Sequence, residues 1–243
     1  MGDATWRKVV TYARELDLPI HTHVAETRDE VDEARAATGE TPLARLDRLG
    51  ATGPSFIGVH AVHLDAVDIE LLATQGCNVV HCPVSNMKLA SGIAPVTKLV
   101  ARGINVALGT DGAASNNRLD VFSEMRTASL LAKVATGDAA ALPAPTLLRM
   151  ATQAGATALG MDAELGSLTP GKFADAVAVD LGGLEALPVY DPISHLIQVA
   201  GRDQVTDVWV GGERVVDSGR ITTVDESALA ARARMWQERV KTG

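Results

Sequence analysis

Apolar positions recur along this chain in two alternating rhythms. Helical spacing of three and four residues runs through "ATWRKVVTYARELD", "RDEVDEARAATG", "TPLARLDRLG", "DAVDIELLATQG", "GIAPVTKLVARG", "LDVFSEMRTASLLAKVATG" and "APTLLRMATQAGATALG". Gly39, Gly50 and Gly76 stand where three of these patterns stop. Between them lie short apolar runs of strand length, predicted at 19–24, 55–60, 77–81 and 104–109, the third stopped by Pro83. Apolar strands joined by helices predict an α/β fold with a parallel sheet, because such strands are covered on both faces.

From about residue 164 the rhythm changes. "LGSLTPGKFADAVAVDL" and "DQVTDVWVGGERVVDSG" are short strand patterns separated by Gly and Pro, followed by a helical "ESALAARARMWQERV". The expected organisation is a βα unit over 1–163, a small β region over 164–225 and a C-terminal helix over 226–243. No internal repeat and no low-complexity segment interrupts it.

Composition narrows the function classes. The 243 residues are 47% hydrophobic, 21% charged and only 3% aromatic, so aliphatic side chains must fill the core of a globular protein. A net charge of -8, with no cluster of Lys and Arg, argues against nucleic acid as a partner. No apolar run approaches the ~20 residues of a membrane span. The opening "MGDATWRKVV" lacks the apolar stretch of a signal peptide, and Trp6 breaks the myristoylation pattern. The two cysteines, Cys77 and Cys82, do not form a disulfide framework, and a cytoplasmic location is the expectation.

The polar residues fall at one end of the predicted strands. His21, His23 and Glu26 close the first strand, His60 and His63 the second, His81 the third and Asp111 the fourth. In a β/α barrel the carboxyl ends of the strands form the active-site face. Taken singly, His21 and His63 read as structural histidines. So does His81, although its place beside "CPVSNMKLASG" keeps it as a candidate pocket residue. His195, far downstream in "DPISHLIQ", also reads as structural. Asp111 follows an apolar strand in "ALGTDGAASNN", and a buried carboxylate there needs a partner, of which a cation is the simplest. His23, His60 and Asp111 together point to one divalent metal, with zinc first and iron or manganese as alternatives.

Longer stretches carry more than spacing does. "HVAET", "VHAVHL", "HCPVSNMKLASGIAPV" and "VALGTDGAASNNRLDVFSEMRTASLLAK" together resemble the amidohydrolase superfamily, and within it the 5-methylthioadenosine/S-adenosylhomocysteine deaminases and their chlorohydrolase-like relatives. The tail "GSLTPGKFADAVAVDL" resembles the return of these proteins to a small β-sandwich. The likeness runs over nearly the whole chain, and residues 77–133 carry its most specific part.

The resemblance also orders the elements. "HTHVAET" follows a helix and matches the family's fifth barrel strand, so its His-x-His spacing is a coincidence and His21 is not a ligand. The fold implied is the C-terminal half of a TIM (β/α)8 barrel, strands 5 to 8, with part of a small β-sandwich. The family's His-x-His ligands and much of its substrate contact belong to a half with no counterpart here.

The activity implied is hydrolytic loss of ammonia from an adenine-type ring. His23 and Asp111 would bind the metal. Asp111 would accept a proton from the attacking water, Glu26 would deliver one to a ring nitrogen, and His60 would hydrogen-bond the water or the developing oxygen. Glu26 has a rival role as a helix N-terminal carboxylate before "TRDEV". Ser115 and Asn116 either contact substrate or only shape the turn; Ser115 is carried with Glu26, His60 and Asp111 as substrate-binding. A guanine-type or s-triazine substrate, or an inert fragment, are the alternatives. A homo-oligomer is expected of the full-length protein.

Overall fold

The computed structural model describes residues 1–242; Gly243, the end of the expected C-terminal helix span, lies outside them. In chain order the first part runs α1 (Asp3–Glu15), β1 (Ile20–Val24), α2 (Arg28–Thr38), α3 (Pro42–Arg48), β2 (Phe56–His60), α4 (Ala66–Gln75), β3 (Asn78–His81), α5 (Pro83–Lys88), α6 (Val96–Ala101), β4 (Asn105–Leu108), α7 (Val121–Thr136), α8 (Ala144–Met150) and α9 (Gln153–Ala158). The remainder is β5 (Ala176–Val179), α10 (Pro192–Gln198), β6 (Val205–Val210), β7 (Glu213–Asp217), β8 (Arg220–Ile221) and α11 (Glu226–Thr242).

All four strands predicted for the first part form, in one parallel sheet of order β1-β2-β3-β4. Register pairs His23 with Val59 and Val24 with His60, so the histidine-bearing ends of β1 and β2 lie side by side. β2 is buried at every position. Phe56, Val79, Val106, Leu43, Leu72 and Leu99 join a single core cluster between the sheet and its helices. Each such fully buried aliphatic or aromatic side chain contributes about 1.5–3 kcal/mol. β1 and β4 are edge strands, and exposed Tyr12, Leu16 and Leu18 line a groove along the β1 side.

Local signals set the helix ends. Asp65 accepts from the Val67 and Asp68 amides while the Asp68 side chain returns to the Asp65 amide, a reciprocal cap on α4. Gly39 and Gly76 close α2 and α4 in the left-handed conformation.

Three expectations change. The helix expected through "GIAPVTKLVARG" is confined to Val96–Ala101, because Pro95 stands at its cap and Gly92 has φ 128°. The single helix expected through "APTLLRMATQAGATALG" breaks at Thr152, whose φ and ψ are -131° and -87°. Within 164–225, expected to be strands, α10 forms and packs against α7 and α8, with Ile197 fully buried. Asp191 caps α10 and Pro192 opens it, a start signal that outweighs the surrounding turn residues.

The strands of that second region make a separate antiparallel sheet, β5-β6-β7-β8, bulged beside Val179 and Trp209. α11 is exposed along its length as far as residue 241. Cys77 and Cys82 are both free thiols, buried in the first region. Among the described residues, no helix is long and apolar enough to cross a membrane.

Candidate metal and active site

Where the parallel strands end, the backbone turns sharply. Ala25, His60, Ala61 and Asp111 all have positive φ, between 49° and 72°. Non-glycine residues adopt that conformation at a cost and persist in it where the surroundings hold them. These turns bring His23, Glu26 and His60 together, with one candidate ligand atom from each lying within 4.8 Å of the others. The His23 and His60 rings meet edge to face at 4.9 Å, and Glu26 Oε2 is 3.7 Å from His60 Nε2.

His60 is almost completely buried and its two nitrogens are distinguished by their surroundings. Nδ1 lies 2.8 Å from the Asn86 side-chain oxygen, to which it donates, while Nε2 has no hydrogen-bond partner among the described residues. With the proton on Nδ1, the Nε2 lone pair points into the His23–Glu26 cluster. A buried, unpartnered imidazole nitrogen beside a second imidazole and a carboxylate is the donor set of a transition-metal or zinc ligand group.

Glu26 does not cap α2. Thr27 accepts from the Glu30 amide, and the Glu30 carboxylate accepts from the Ala25 and Glu26 amides at 3.1 and 2.8 Å. The helix-terminal role that the sequence offered Glu26 is thus filled by its neighbours. Glu26 Oε1 instead accepts from Ser91 Oγ at 3.2 Å, which leaves its other oxygen toward His60.

Asp111 sits on the turn after β4. Its Oδ2 accepts from Ser85 at 2.7 Å and from Ser115. Burial works to raise its pKa, but the Ser115, Ser85 and Gly112 hydrogen bonds and the proximity of His60 outweigh it and hold the carboxyl down at about 2. It is therefore a carboxylate at neutral pH. Ser115 shapes this carboxylate directly. Asn116 is buried and its side-chain amide is fully engaged, donating to the Thr110 carbonyl and to Glu124, so it shapes the turn.

The other histidines lie outside the His23–Glu26–His60 cluster. His21 is exposed on the β1 edge. His63 Nε2 is 2.6 Å from the Ser91 carbonyl. His195 bonds the Ala186 carbonyl at 3.0 Å. His81 is buried, and burial first and His60 second push its pKa down to about 3, keeping it neutral. It lines a cavity with Ile93, Lys98 and Ala128, and its Nδ1 is buried without a hydrogen-bond partner among the described residues.

Ser85, Asn86, Ser91 and Glu124 were not singled out from the sequence. Three lie in "CPVSNMKLAS", whose polar residues follow a strand end directly, and that adjacency was the available signal. Glu124 gave none, because an acidic residue in an amphipathic helix reads as solvated.

The amidohydrolase family's sequence profile matches residues 1–215. The chain belongs to the amidohydrolase family. A 5-methylthioadenosine/S-adenosylhomocysteine deaminase of Teredinibacter turnerae is 45% identical over 240 residues, covering 99% of this chain and 54% of that protein. The crystal structure of an adenosine deaminase from Xanthomonas campestris with bound zinc superposes with a TM-score of 0.98 at 48% identity, covering all of this chain and 55% of that one. An atrazine chlorohydrolase from Arthrobacter aurescens, complexed with zinc, gives a TM-score of 0.90 at 28% identity over 96% of this chain and 52% of that one. The chain thus spans about half the length of the amidohydrolases it matches.

Proposed function

We propose that this chain is the catalytic C-terminal portion of a metal-dependent deaminase that hydrolyses the exocyclic amine of an adenine-type ring. The observation that carries the reading is the buried, unpartnered Nε2 of His60, facing Glu26 and His23 on the strand-end face of a parallel sheet. In this reading β1 to β4 are strands 5 to 8 of a TIM barrel within 1–163, residues 164–225 contribute part of a composite β-sandwich together with α10, and 226–243 form a terminal helix. Polypeptide outside these residues supplies the rest of the barrel and the remaining ligands.

His23 from the clustered trio would hold the metal together with Asp111 on the turn after β4, which is not one of the three clustered residues, and zinc is favoured because relatives of similar fold carry it. A bound divalent cation supplies a nucleophile at neutral pH by acidifying water. The side chains do the rest. Asp111, ionised at neutral pH, accepts the proton of the attacking water. Glu26, free of any capping duty, carries a proton to a ring nitrogen as charge builds there. His60 offers one defined nitrogen to the attacking water or the developing oxygen. Ser115 keeps Asp111 oriented and lies at the edge of the substrate space. The substrate class is a purine nucleoside such as S-adenosylhomocysteine or 5-methylthioadenosine, in keeping with the names of the relatives. A soluble, cytoplasmic homo-oligomer is proposed for the whole protein.

The test is complementation. The chain is co-expressed with a polypeptide equivalent to the part of the Teredinibacter protein that it does not cover, and metal content and ammonia release from S-adenosylhomocysteine are measured on the purified complex. About one zinc, iron or manganese per complex with turnover supports the reading. Release of chloride from a chlorotriazine in place of ammonia would move the activity to the halide-hydrolysing branch. A folded complex without metal or turnover would defeat the proposal.

A further inference from the structure

Glu124 lies on α7, outside the cluster of candidate ligands, and is completely buried. Its two carboxylate oxygens have separate tasks. Oε2 accepts from the Val84 amide at 3.1 Å, and Oε1 accepts from the Asn116 side-chain amide at 2.6 Å. Both partners are uncharged donors. Burying a carboxylate against neutral donors is costly, and a core leucine in the same place would fill the volume without that cost.

The two donors belong to the two segments that orient the site. Val84 precedes Ser85, which bonds Asp111, and Asn86, which accepts from His60 Nδ1. The same Asn116 amide that reaches Glu124 also donates to the Thr110 carbonyl at 2.8 Å, fixing the residue before Asp111. Lys88 also spans the two segments, through the Ala114 carbonyl and Asn117, but in an exposed position.

We propose that Glu124 is a positioning residue that ties the first turn of α5 to the loop after β4 and so sets the orientation of His60 and Asp111 together. A carboxylate suits the task because it accepts from both segments at once. Glutamine has one acceptor oxygen and presents a donor to the other segment; leucine has none. The inference rests on the assignment of His60 and Asp111 to the site.

The experiment uses the 243-residue chain with Glu124→Gln, Glu124→Leu and, as a control, Leu147→Ala, a core truncation on α8 away from both segments. At pH 8, where Glu124 is ionised, hydrogen exchange is followed for segments 82–88 and 110–119 against the β2 strand, and the His60 tautomer by long-range proton–nitrogen NMR. The expected result is a 10-fold or greater loss of protection in both segments together, β2 unchanged, and a second His60 tautomer appearing in the Leu variant. The Gln variant should show the same pattern to a smaller extent. In Leu147→Ala, protection should fall without that pattern and the single tautomer should persist. Loosening of one segment only, a uniform loss of protection, or a tautomer unaffected by Glu124→Leu would overturn the positioning role. A parent chain whose His60 carries its proton on Nε2 would instead defeat the site assignment, so the two failures are distinguishable.

Discussion

Glu124 should leave a signature in the pH dependence of stability. Burial raises its pKa from 4.5 to about 7, with Asp120 adding to the rise and the Val84 and Asn116 hydrogen bonds opposing it. The folded state therefore holds the proton more tightly than the unfolded chain does. The associated stability is fully present below pH 4.5 and is lost as the pH climbs through 7. The separation of 7 − 4.5 = 2.5 pH units corresponds to roughly 3 kcal/mol at about 1.4 kcal/mol per unit. Glu124 is fully buried, so solvent screening takes little from that figure. The assay is urea unfolding of the parent and of Glu124→Gln at steps from pH 4.5 to 8. Other titrating groups, His81 among them, are common to both proteins and cancel in the difference. The parent should lose about 3 kcal/mol relative to the Gln variant between pH 4.5 and 8, most of it below pH 7. A difference that stays flat across this range would refute the burial argument.

Other consequences are open to direct measurement. Ser115→Ala removes a hydrogen bond to Asp111, and the carboxyl midpoint should move up from about 2 toward its ordinary 3.8, read by carbon NMR; an unmoved midpoint would show that Ser85 and the Gly112 amide suffice. His81 is held neutral with its pKa near 3, so its contribution to stability is complete above pH 6.5 and declines as the pH falls toward 3. Proton NMR in that interval should find the folded protein's His81 unprotonated at pH 5, and a midpoint near 6.5 would contradict its burial. Asp65→Ala removes the reciprocal cap of α4 and should cost about 1 kcal/mol in chemical denaturation; no loss would mean that packing alone holds that helix end.

The parallel sheet was legible because its strands are apolar runs bounded by Gly, Pro and polar residues, signals that act within a few positions. The placement of His23, Glu26, His60 and Asp111 at strand ends followed from the same pattern. What escaped was set by tertiary contact. α5 is six residues long, begins at Pro83, and is held by Glu124 from 40 positions downstream. α9, which starts after the Thr152 break, packs on β4, and α10 packs on α7 and α8, contacts that no local pattern announces, although Asp191 and Pro192 do mark where α10 begins. The tautomer of His60 depends on Asn86, 26 residues away, and no spacing rule connects them. The capping of α2 by Thr27 and Glu30, in contrast, was a short-range pattern open to reading.

The left-handed residues at the strand ends bear on how this protein would respond to selection for heat tolerance. Ala25, Ala61 and Asp111 each occupy a conformation in which an L side chain costs about 1–2 kcal/mol, and glycine at the two alanines would relieve it. A search guided by melting temperature alone would therefore be drawn toward the very turns that aim the site. Glycine there would relax the native turn but also widen the range of directions open to His60 and Glu26 on either side. Thermal robustness and precise aim compete at these positions, and stabilising changes are better sought in the exposed α1 face and in α11.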